Sequence, residues 1–454
     1  MIFADPTHRR AFVLSVVLLA LILLYIYFKM FSPYSIFSAR YGVMSFRFRY
    51  VVIYNRIFEA LIALNFIKLF LWSVLAKKSS LKNPSFMPSV TAVIPAYNEE
   101  KTITATVKSV LAADYKKLDV IVVDDGSKDK TYEILKTEFG DNPRVKIITK
   151  DNGGKYSALN TGIEQANGKL LLLLDADTII APDSVRLLVS HLADNNVAAV
   201  SGNTRVGNVH NLITRFQRVE YIRDFNLNKN GMTRLNAMAV VPGALGMWRK
   251  SAVLECGGFS PDTLGEDRDL TMALLDRGYK AAFEPSAFSE TEAPDTLRGF
   301  MRQRFRWTYS TLQCVVKYLR CLFNPFKKGL GLILMPDLLI FQIILPLFTT
   351  VGFVLNLFNF DSYEASLLAV SYAFSVVTEL FLFLLSKRIT KEKIYFKDLL
   401  AVIPQRVFYG VLCTFILFKA VLYAFIGTTV LWNKVERKGN NSGSSITQNK
   451  NTHI

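Results

Sequence analysis

Histidine and cysteine are scarce in this sequence, which narrows the kinds of site it can build. The 454 residues include only four histidines and four cysteines. The cysteines form no C-x-x-C pair and no spacing typical of a disulfide scaffold, so we expect reduced, buried thiols. The histidines are scattered, which argues against a histidine-based zinc site. A catalytic metal ion is therefore expected to bind to carboxylates.

Two nucleotide-binding signatures are missing as well. No G-x-x-x-x-G-K phosphate loop occurs, so ATP hydrolysis is not expected, and the lack of G-x-G-x-x-G disfavours a dinucleotide cofactor. The net charge of +17 is compatible with nucleic-acid binding. Much of the excess, however, flanks apolar segments, as at the cytoplasmic ends of membrane helices. Since no aromatic–basic RNA-binding signature is present either, we expect no nucleic-acid partner.

Long apolar segments are abundant, with 51% hydrophobic residues and 34 phenylalanines. Five segments approach the ~20 residues that a spanning helix needs. They are residues 11–28, 57–76, 334–358, 365–385 and 407–432. The first is long for a signal peptide and lacks a convincing cleavage site, so we interpret it as a retained helix. The basic loop at 387–398 is expected to be cytoplasmic, and the sequence thus predicts a multi-pass protein of the cell membrane.

Strands and helices alternate in the region between the second and third apolar segments. Apolar strands are predicted at residues 90–95, 120–123, 145–148, 170–174 and 197–202. This alternation predicts a parallel, Rossmann-like sheet in an α/β domain. The predicted units are an N-terminal membrane region (1–80), a cytosolic α/β domain (81–310), an amphipathic interfacial helix with three membrane helices (311–432), and a disordered tail (433–454).

Two carboxylates end the most apolar of these strands. Five leucines at 170–174 are followed by Asp175 and, after one small residue, Asp177. At strand spacing both side chains point the same way, at the sheet edge where open α/β sheets bind ligands. Two hard oxygen donors suit Mg²⁺ or Mn²⁺, which would bridge to a nucleotide diphosphate. A polar turn is the alternative interpretation.

Three further clusters lie near predicted strand or helix ends. Asp125 follows a strand and is suited to a hydrogen bond with a base or a ribose. Lys155 follows two glycines before a helix, where it can meet a phosphate. Asp267 opens another helix and is a candidate general base. A turn, a flexible loop and a helix cap are the respective alternatives.

A basic amphipathic helix, residues 294–318, carries the last cluster, Q-R-F-R-W at 303–307. Arg306 is suited to neutralising a departing diphosphate, and Trp307 to stacking on an acceptor sugar. Binding of the helix to a membrane surface is the alternative.

In this order, the clusters resemble the motifs of membrane-embedded family 2 glycosyltransferases, the processive synthases of cellulose, hyaluronan, chitin and poly-N-acetylglucosamine. The resemblance covers about residues 90–307. It implies a GT-A fold, a UDP-sugar donor, inversion at the anomeric carbon and a divalent metal ion, Mg²⁺ or Mn²⁺. It also implies roles for individual residues: the nucleotide-sugar would bind to Asp125, Lys155, Asp175, Gln303 and Arg306, the metal to Asp175 and Asp177, and the acceptor to Trp307, with Asp267 as the catalytic base.

The predicted function is transfer of a sugar from a UDP-sugar, possibly UDP-N-acetylglucosamine, to a growing polysaccharide that the same chain exports. Sugar hydroxyls lose their hydrogen-bonding partners in hydrocarbon, so export needs a pore. Charged residues within apolar segments are candidates to line it, and Glu379 and Lys419 are candidates to pair. These residues are Glu59, Lys68, Asp337, Glu379 and Lys419. The alternatives are a non-processive lipid glycosyltransferase and an inactive membrane scaffold of the same fold.

Overall fold

A computed structural model describes most of the chain. It covers residues 60–76 apart from 62, 63, 66 and 73, then 83, 85–223, 227–348, 350, 362–390, 393–426 and 438–441. The predicted first span at 11–28 and the candidate pore residue Glu59 lie outside the described residues.

An eight-stranded mixed sheet forms the centre of the α/β domain. Its strand order is β3-β2-β1-β4-β7-β6-β8-β5. In chain order the strands are β1 Val90–Ala96, β2 Leu118–Asp124, β3 Val145–Thr149, β4 Leu170–Leu173, β5 Thr178–Ile180, β6 Val197–Val206, β7 Gly246–Arg249 and β8 Lys280–Thr291. All five strands predicted from the sequence are confirmed, as β1, β2, β3, β4 and β6.

The direction of the strands divides this sheet into two halves. Strands β3, β2, β1 and β4 run parallel, as predicted. Beyond β4 the prediction of an entirely parallel sheet is wrong, because the reversed strand β7 pairs antiparallel with both β4 and β6, although β6 pairs parallel with β8. Strand β5 is antiparallel to β8. The four-residue β7 is too short and too rich in neighbouring apolar residues to be recognised as a separate reversed strand.

Alternation along β4 distributes its leucines between two cores. Leu171 and Leu173 pack into the core on one face of the sheet. Leu170, Leu172 and Leu174 pack into the core on the other face. Successive strand side chains point to opposite faces, so a strand covered by helices on both sides needs an unbroken apolar run. The leucine run therefore fixes β4 at the centre of the domain.

Eleven α-helices of the described residues pack around and beyond the sheet. They are α1 Ile103–Leu111, α2 Thr131–Phe139, α3 Lys155–Gln165, α4 Ser184–His191, α5 Leu212–Arg223, α6 Lys229–Arg234, α7 Lys250–Glu255, α8 Glu266–Asp276, α9 Leu297–Lys317, α10 Ser362–Thr390 and α11 Phe396–Ile426. Between α9 and α10 lie two short 3₁₀ turns, Leu319–Cys321 and Pro325–Lys327, and two π-helical segments, Leu330–Leu334 and Asp337–Ile344.

Two helical segments among the described residues are long and apolar enough to cross a bilayer. Leu330–Phe348 has a mean hydropathy of 2.1, and Val407–Ile426 has a mean hydropathy of 2.0. They overlap two of the predicted spans, 334–358 and 407–432, whose last residues lie outside the described part of the chain. Only 17% of the Val407–Ile426 segment is buried against the rest of the protein, so its apolar face is open. The multi-pass arrangement stays a prediction, since Tyr372–Ser386 is shorter than a span.

The candidate pore residues pair differently from the prediction. Lys68 forms an ion pair with Asp337 at 2.9 Å. Glu379 pairs with Arg223 of α5 at 2.6 Å. The Lys419 ammonium instead lies 5.3 Å from the ring centroid of Phe305 and 5.4 Å from that of Tyr423. The predicted Glu379–Lys419 pair is therefore wrong.

Three residues of the predicted disordered tail, Lys438, Gly439 and Asn441, make specific contacts with the α/β domain. The backbone amides of Lys438 and Gly439 donate to the buried Glu292 carboxylate at 2.7 and 2.9 Å. The Lys438 ammonium also pairs with Asp295 at 2.8 Å. These contacts place residues 438–441 beside the end of β8.

Candidate active site

A small cleft at the carboxyl end of β4 gathers four charged side chains over an apolar floor. The charged residues are Lys155, Asp175, Glu266 and Asp267, and the floor includes Trp248 and Phe259. Three chain segments bring the charges together: the start of α3, the loop after β4 and the start of α8. Their meeting at one edge is what the carboxyl ends of parallel strands produce.

Lys155 is the central cation of this cleft. Its ammonium lies 2.7 Å from Asp175 Oδ1 and 2.9 Å from Glu266 Oε1. As the first residue of α3, it places a positive charge at the helix end that disfavours one. Burial lowers the pKa of Lys155, but the attraction of Asp175, Glu266 and Asp267 outweighs burial and holds this pKa well above its ordinary value. Lys155 is therefore a permanent cation at the cleft.

Gly243 leaves the space that the Lys155–Asp175 pair needs. A Cβ atom at this position would lie 2.8 Å from Lys155 Nζ and 2.9 Å from Asp175 Oδ1. The backbone amide of Gly243 also donates to Asp267 Oδ2 at 3.2 Å. A larger residue here would push the two charged groups apart, so Gly243 shapes the polar wall of the cleft.

Asp267 is the candidate base within this cleft. Its Oδ1 also accepts a hydrogen bond from the Arg268 amide at 2.8 Å, at the start of α8. Burial and then the neighbouring Glu266 carboxylate raise the pKa of Asp267, while Lys155 and Arg268 act in the opposite direction. A carboxyl with a raised pKa accepts a proton more readily near neutral pH. Its position at an opening into the cleft suits the role of a general base.

The second aspartate of the D-x-D pair lies elsewhere. Strand β4 ends at Leu173, so the strand spacing does not extend through Asp177. Asp177 is buried, and its Oδ1 accepts from the Thr291 hydroxyl at 3.2 Å. Asp175 lines the cleft with Lys155, and Asp177 does not. Of the two carboxylates, only that of Asp175 lines the cleft, and a metal-binding role for Asp177 stays a prediction.

The donor set is compatible with a metal ion bound through a substrate. Within the parts of the chain that the structure describes, no three His, Cys, Asp or Glu side chains form a metal-binding group. Mg²⁺ is commonly bound through one or two carboxylates together with substrate phosphates. Asp175 supplies such a hard oxygen donor at the cleft. The residues thus fit Mg²⁺ or Mn²⁺ that arrives with a diphosphate.

Asp125 holds the loop that leads to Lys155. Its carboxylate accepts hydrogen bonds from Lys150 Nζ at 2.9 Å, from the Gly153 amide at 3.0 Å and from the Gly154 amide at 2.8 Å. Gly154 has a φ of +87°, which L side chains rarely adopt. In this structure Asp125 orders the loop, and its contact with a nucleotide stays a prediction.

The Q-R-F-R-W segment lies on α9, next to the cleft rather than within its lining. The buried Gln303 has no hydrogen-bond partner for its Oε1 among the described residues. Trp307 packs against the small apolar cluster of Val206, Tyr221 and Ala293. Three residues further along α9, Ser310 lies so close to Gly265 that a Cβ there would be 2.1 Å from its Oγ. Helical spacing thus puts Gln303, Arg306 and Trp307 on the turns that precede this contact with the start of α8.

Comparison with known protein families identifies the domain. Residues 91–254 match the model described as glycosyl transferase family 2. Residues 91–254 therefore form a family 2 glycosyltransferase domain. The match confirms the resemblance drawn from the motifs and supports the enzyme class, and it covers nearly all of β1, all of β2 to β7 and most of α7.

Curated relatives share this domain and part of the flanking chain. The chain is 33% identical over 226 residues to the poly-beta-1,6-N-acetyl-D-glucosamine synthase of Staphylococcus aureus strain COL, across 50% of this chain and 55% of that protein. It is 32% identical over 220 residues to the synthase of the same name from Staphylococcus epidermidis, across 48% of this chain and 53% of that protein. The match therefore spans about half the length of each relative.

A solved structure shares the fold over a longer stretch. It is a mannosyltransferase from Pyrobaculum calidifontis in complex with GDP-Man and Mn²⁺. The TM-score is 0.62 with 20% sequence identity, across 84% of this chain and 99% of that one. This likeness supports a GT-A-like α/β fold, the fold class expected from the motifs.

Two residues in or near the site have contacts that the sequence does not predict. Glu266 precedes Asp267 in the motif without a role of its own, and its ion pair with Lys155 follows from the packing of α3 against α8. Arg304 was treated as part of a basic helix, yet it forms a bidentate pair with Glu220 at 3.0 and 2.6 Å. Those two residues are 84 positions apart, and nothing in the local pattern joins them.

Proposed function

We propose that the protein is a membrane-embedded, inverting glycosyltransferase that adds sugars from a UDP-sugar, UDP-N-acetylglucosamine in the first instance, to a growing polysaccharide. The observation that carries this proposal is the placement of Asp267 in the same cleft as the Lys155–Asp175 pair. Glycosyl transfer from a nucleoside diphosphate sugar requires a general base for the acceptor hydroxyl and a cation that neutralises the departing diphosphate.

Different residues act on the acceptor hydroxyl and on the departing diphosphate. Asp267 accepts the proton of the acceptor hydroxyl as that oxygen bonds to the anomeric carbon. The bond from this carbon to the diphosphate oxygen breaks at the same time, and its electron pair leaves with UDP. Lys155 and Arg306 stabilise the negative charge that develops on the diphosphate. Attack from the side opposite the leaving group inverts the anomeric configuration.

Asp175, with Asp177 after a local rearrangement, would hold Mg²⁺ or Mn²⁺. When bound, the ion neutralises the diphosphate and stabilises its departure. Asp125 would contact the uridine once the loop at 150–154 adjusts, because its carboxylate is committed to that loop in this structure. Gln303 would bind the diphosphate side and Trp307 would stack on the acceptor.

Export of the product depends on the apolar helices. The α/β domain is proposed to lie in the cytoplasm, with the bilayer around Leu330–Phe348, Val407–Ile426 and the remaining predicted spans. The long helix α9 would then lie at the membrane surface, where its Gln303 and Trp307 meet the acceptor. The partly buried Lys68–Asp337 pair would provide a polar position on the path of the polymer.

Incubation of the full-length protein in nanodiscs with radiolabelled UDP-sugars and Mn²⁺ tests the proposal. The expected product is a long polymer made from UDP-N-acetylglucosamine, with loss of activity in EDTA. A lipid-linked monosaccharide would instead make the protein a lipid glycosyltransferase. Absence of any transferred sugar, with every donor tried, would contradict glycosyl transfer and leave an inactive scaffold.

A further inference from the structure

Three helices from distant parts of the chain meet at the side chain of Glu220. Glu220 lies on α5 and accepts both hydrogen bonds of a bidentate pair with Arg304 of α9, at 3.0 and 2.6 Å. The hydroxyl of Tyr409 donates to the same carboxylate. Tyr409 belongs to α11, within the apolar segment Val407–Ile426. We call Glu220, Arg304 and Tyr409 the helix junction.

The helix junction touches the proposed acceptor site directly through Arg304. Its guanidinium carbon lies 4.4 Å from the ring centroid of Trp307, one helical turn further along α9. It also lies 5.1 Å from the ring of Phe300 and 5.7 Å from that of Tyr409. Arginine stacks on aromatic faces through its planar, delocalised charge, and such a contact fixes the orientation of the ring.

Burial makes the junction a rigid support. The Arg304 side chain is 9% exposed and that of Glu220 is 18% exposed. A bidentate arginine–carboxylate pair in such surroundings has a fixed geometry, because both hydrogen bonds must be kept to offset the loss of water. The rings of Phe300 and Tyr409 close the arrangement at a centroid distance of 5.0 Å. Any displacement of α11 at Tyr409 is therefore transmitted to Glu220 and Arg304.

We propose that Glu220 and Tyr409 are positioning residues that fix the orientation of the Trp307 ring through Arg304. The geometry of the acceptor site then depends on the position of the apolar helix α11. This inference rests on the proposed function, in which Trp307 stacks on the acceptor. It assigns the junction to acceptor binding and elongation, and not to binding of the nucleotide-sugar at Lys155 and Asp175. Transfer to the polymer thereby depends on the position of α11 relative to the α/β domain.

The kinetic test uses Tyr409→Phe and Glu220→Gln in the full-length protein. Both variants are expected to raise the KM for an oligosaccharide acceptor or to shorten the polymer, by about tenfold for Glu220→Gln because small misplacements of a binding group are costly. The KM for the UDP-sugar and its slow hydrolysis to water are expected to stay unchanged. Equal losses in donor and acceptor steps would overturn the inference.

A spectroscopic test separates positioning from a general loss of structure. The protein is labelled with 5-fluorotryptophan, and the resonance of Trp307 is assigned by its loss in Trp307→Phe. The resonance is expected to shift in Tyr409→Phe and Glu220→Gln. Arg302→Met changes an exposed residue of the same helix, so it serves as the matched control and should leave both the resonance and the kinetics unchanged. An unmoved Trp307 resonance in Glu220→Gln would contradict the inference.

Combination of the variants shows whether the junction acts through Trp307. If it does, Glu220→Gln adds little to the acceptor defect of Trp307→Phe, since effects along one chain of contacts are not additive. Fully additive losses would place the role of Glu220 elsewhere. The proposed function fails in a different way, because the unaltered protein would then transfer no sugar at all.

Discussion

The catalytic cleft and the contacts between the domain and the apolar helices use charge in opposite ways. In the cleft three carboxylates, those of Asp175, Glu266 and Asp267, gather around the ammonium of Lys155. The domain–helix contacts instead match acids with arginines. Asp398, at the start of α11, is fully buried between Arg215 and Arg218 of α5, at 2.7 and 3.2 Å. The cleft thus concentrates like charge, and the contacts between helices neutralise it.

This difference separates function from stability. Crowded acids in a cleft cost stability, and they persist where a cation or a proton is part of the reaction. Neutralised pairs between helices hold elements together and leave no charge for a substrate. We therefore expect every change in the cleft to reduce catalysis or UDP binding, with or without a loss of stability, and a change at Asp398 to reduce stability alone. The four predictions below test that division.

Asp267→Asn has the largest expected effect. Loss of a general base lowers kcat by about 10³-fold, within the range typical of positioned proton acceptors. Affinity for the UDP-sugar should be retained, since Lys155 and Asp175 are unchanged. Radiolabelled transfer and equilibrium binding of UDP measure the two effects. Asp119→Asn, at an exposed position of β2, is the control, and a fall in kcat below tenfold for Asp267→Asn would contradict the assignment.

Lys155→Met leaves the carboxylates of Asp175 and Glu266 facing each other. We expect the free energy of unfolding to fall by about 3 kcal/mol, as when one partner of a buried ion pair is removed, together with a loss of UDP affinity. Denaturant titration and UDP binding measure these changes. Lys108→Met breaks the exposed Lys108–Glu138 pair and should cost about 0.5 kcal/mol. Equal losses in the free energy of unfolding for the two variants would contradict the stronger stabilisation expected from the cleft ion pairs than from the exposed pair.

Asp398→Asn removes the charge shared by Arg215 and Arg218. The free energy of unfolding should fall by about 2 kcal/mol, because two partly buried guanidinium groups lose their charged acceptor. Transfer by the fraction that stays folded should keep its kcat, since Arg215, Arg218 and Tyr395, the hydrogen-bonding partners of Asp398, do not line the cleft. Thermal unfolding and activity normalised to folded protein measure this. A kcat that falls in step with stability would show that the two regions are not separate.

The smallest expected effect is on the pH profile. The pKa of Asp267 is raised by burial and then by Glu266, so transfer should fall on the acid side at a pH above that of an ordinary aspartate. Glu266→Gln removes one cause of the increase and should move this acid limb to lower pH. The expected shift is about one pH unit or less. If the acid limb of the kcat/KM profile moved to higher pH in Glu266→Gln, the Glu266 carboxylate could not be a cause of the raised pKa of Asp267.

The cleft was largely predictable from the sequence because strand ends create it. Lys155, Asp175 and Asp267 each follow a strand or open a helix, and the parallel half of the sheet brings such positions to one edge. The strand spacing expected between Asp175 and Asp177 was wrong because β4 ends at Leu173, a boundary that an unbroken leucine run does not reveal. The metal-binding role of Asp177 stays a prediction. Strand ends are the least certain feature of any pattern of apolar residues.

The contacts between helices were not predictable for a different reason. Arg215 and Asp398 are separated by 183 positions, and Arg304 and Glu220 by 84. A charged residue in an amphipathic helix looks the same in sequence whether it meets water, lipid or a distant carboxylate. The expected Glu379–Lys419 pair was wrong for this reason, because Glu379 forms its ion pair with Arg223 of α5. Only the packing of the helices decides such partners.

The measurement that tests the central claim most directly is an experimental structure with a non-hydrolysable UDP-sugar and Mn²⁺ bound. The cleft is predicted to hold the diphosphate and the metal beside Lys155 and Asp175, with the Asp267 carboxylate facing the anomeric carbon. Nucleotide bound away from these three side chains, or an Asp267 carboxylate turned from the sugar, would contradict the account.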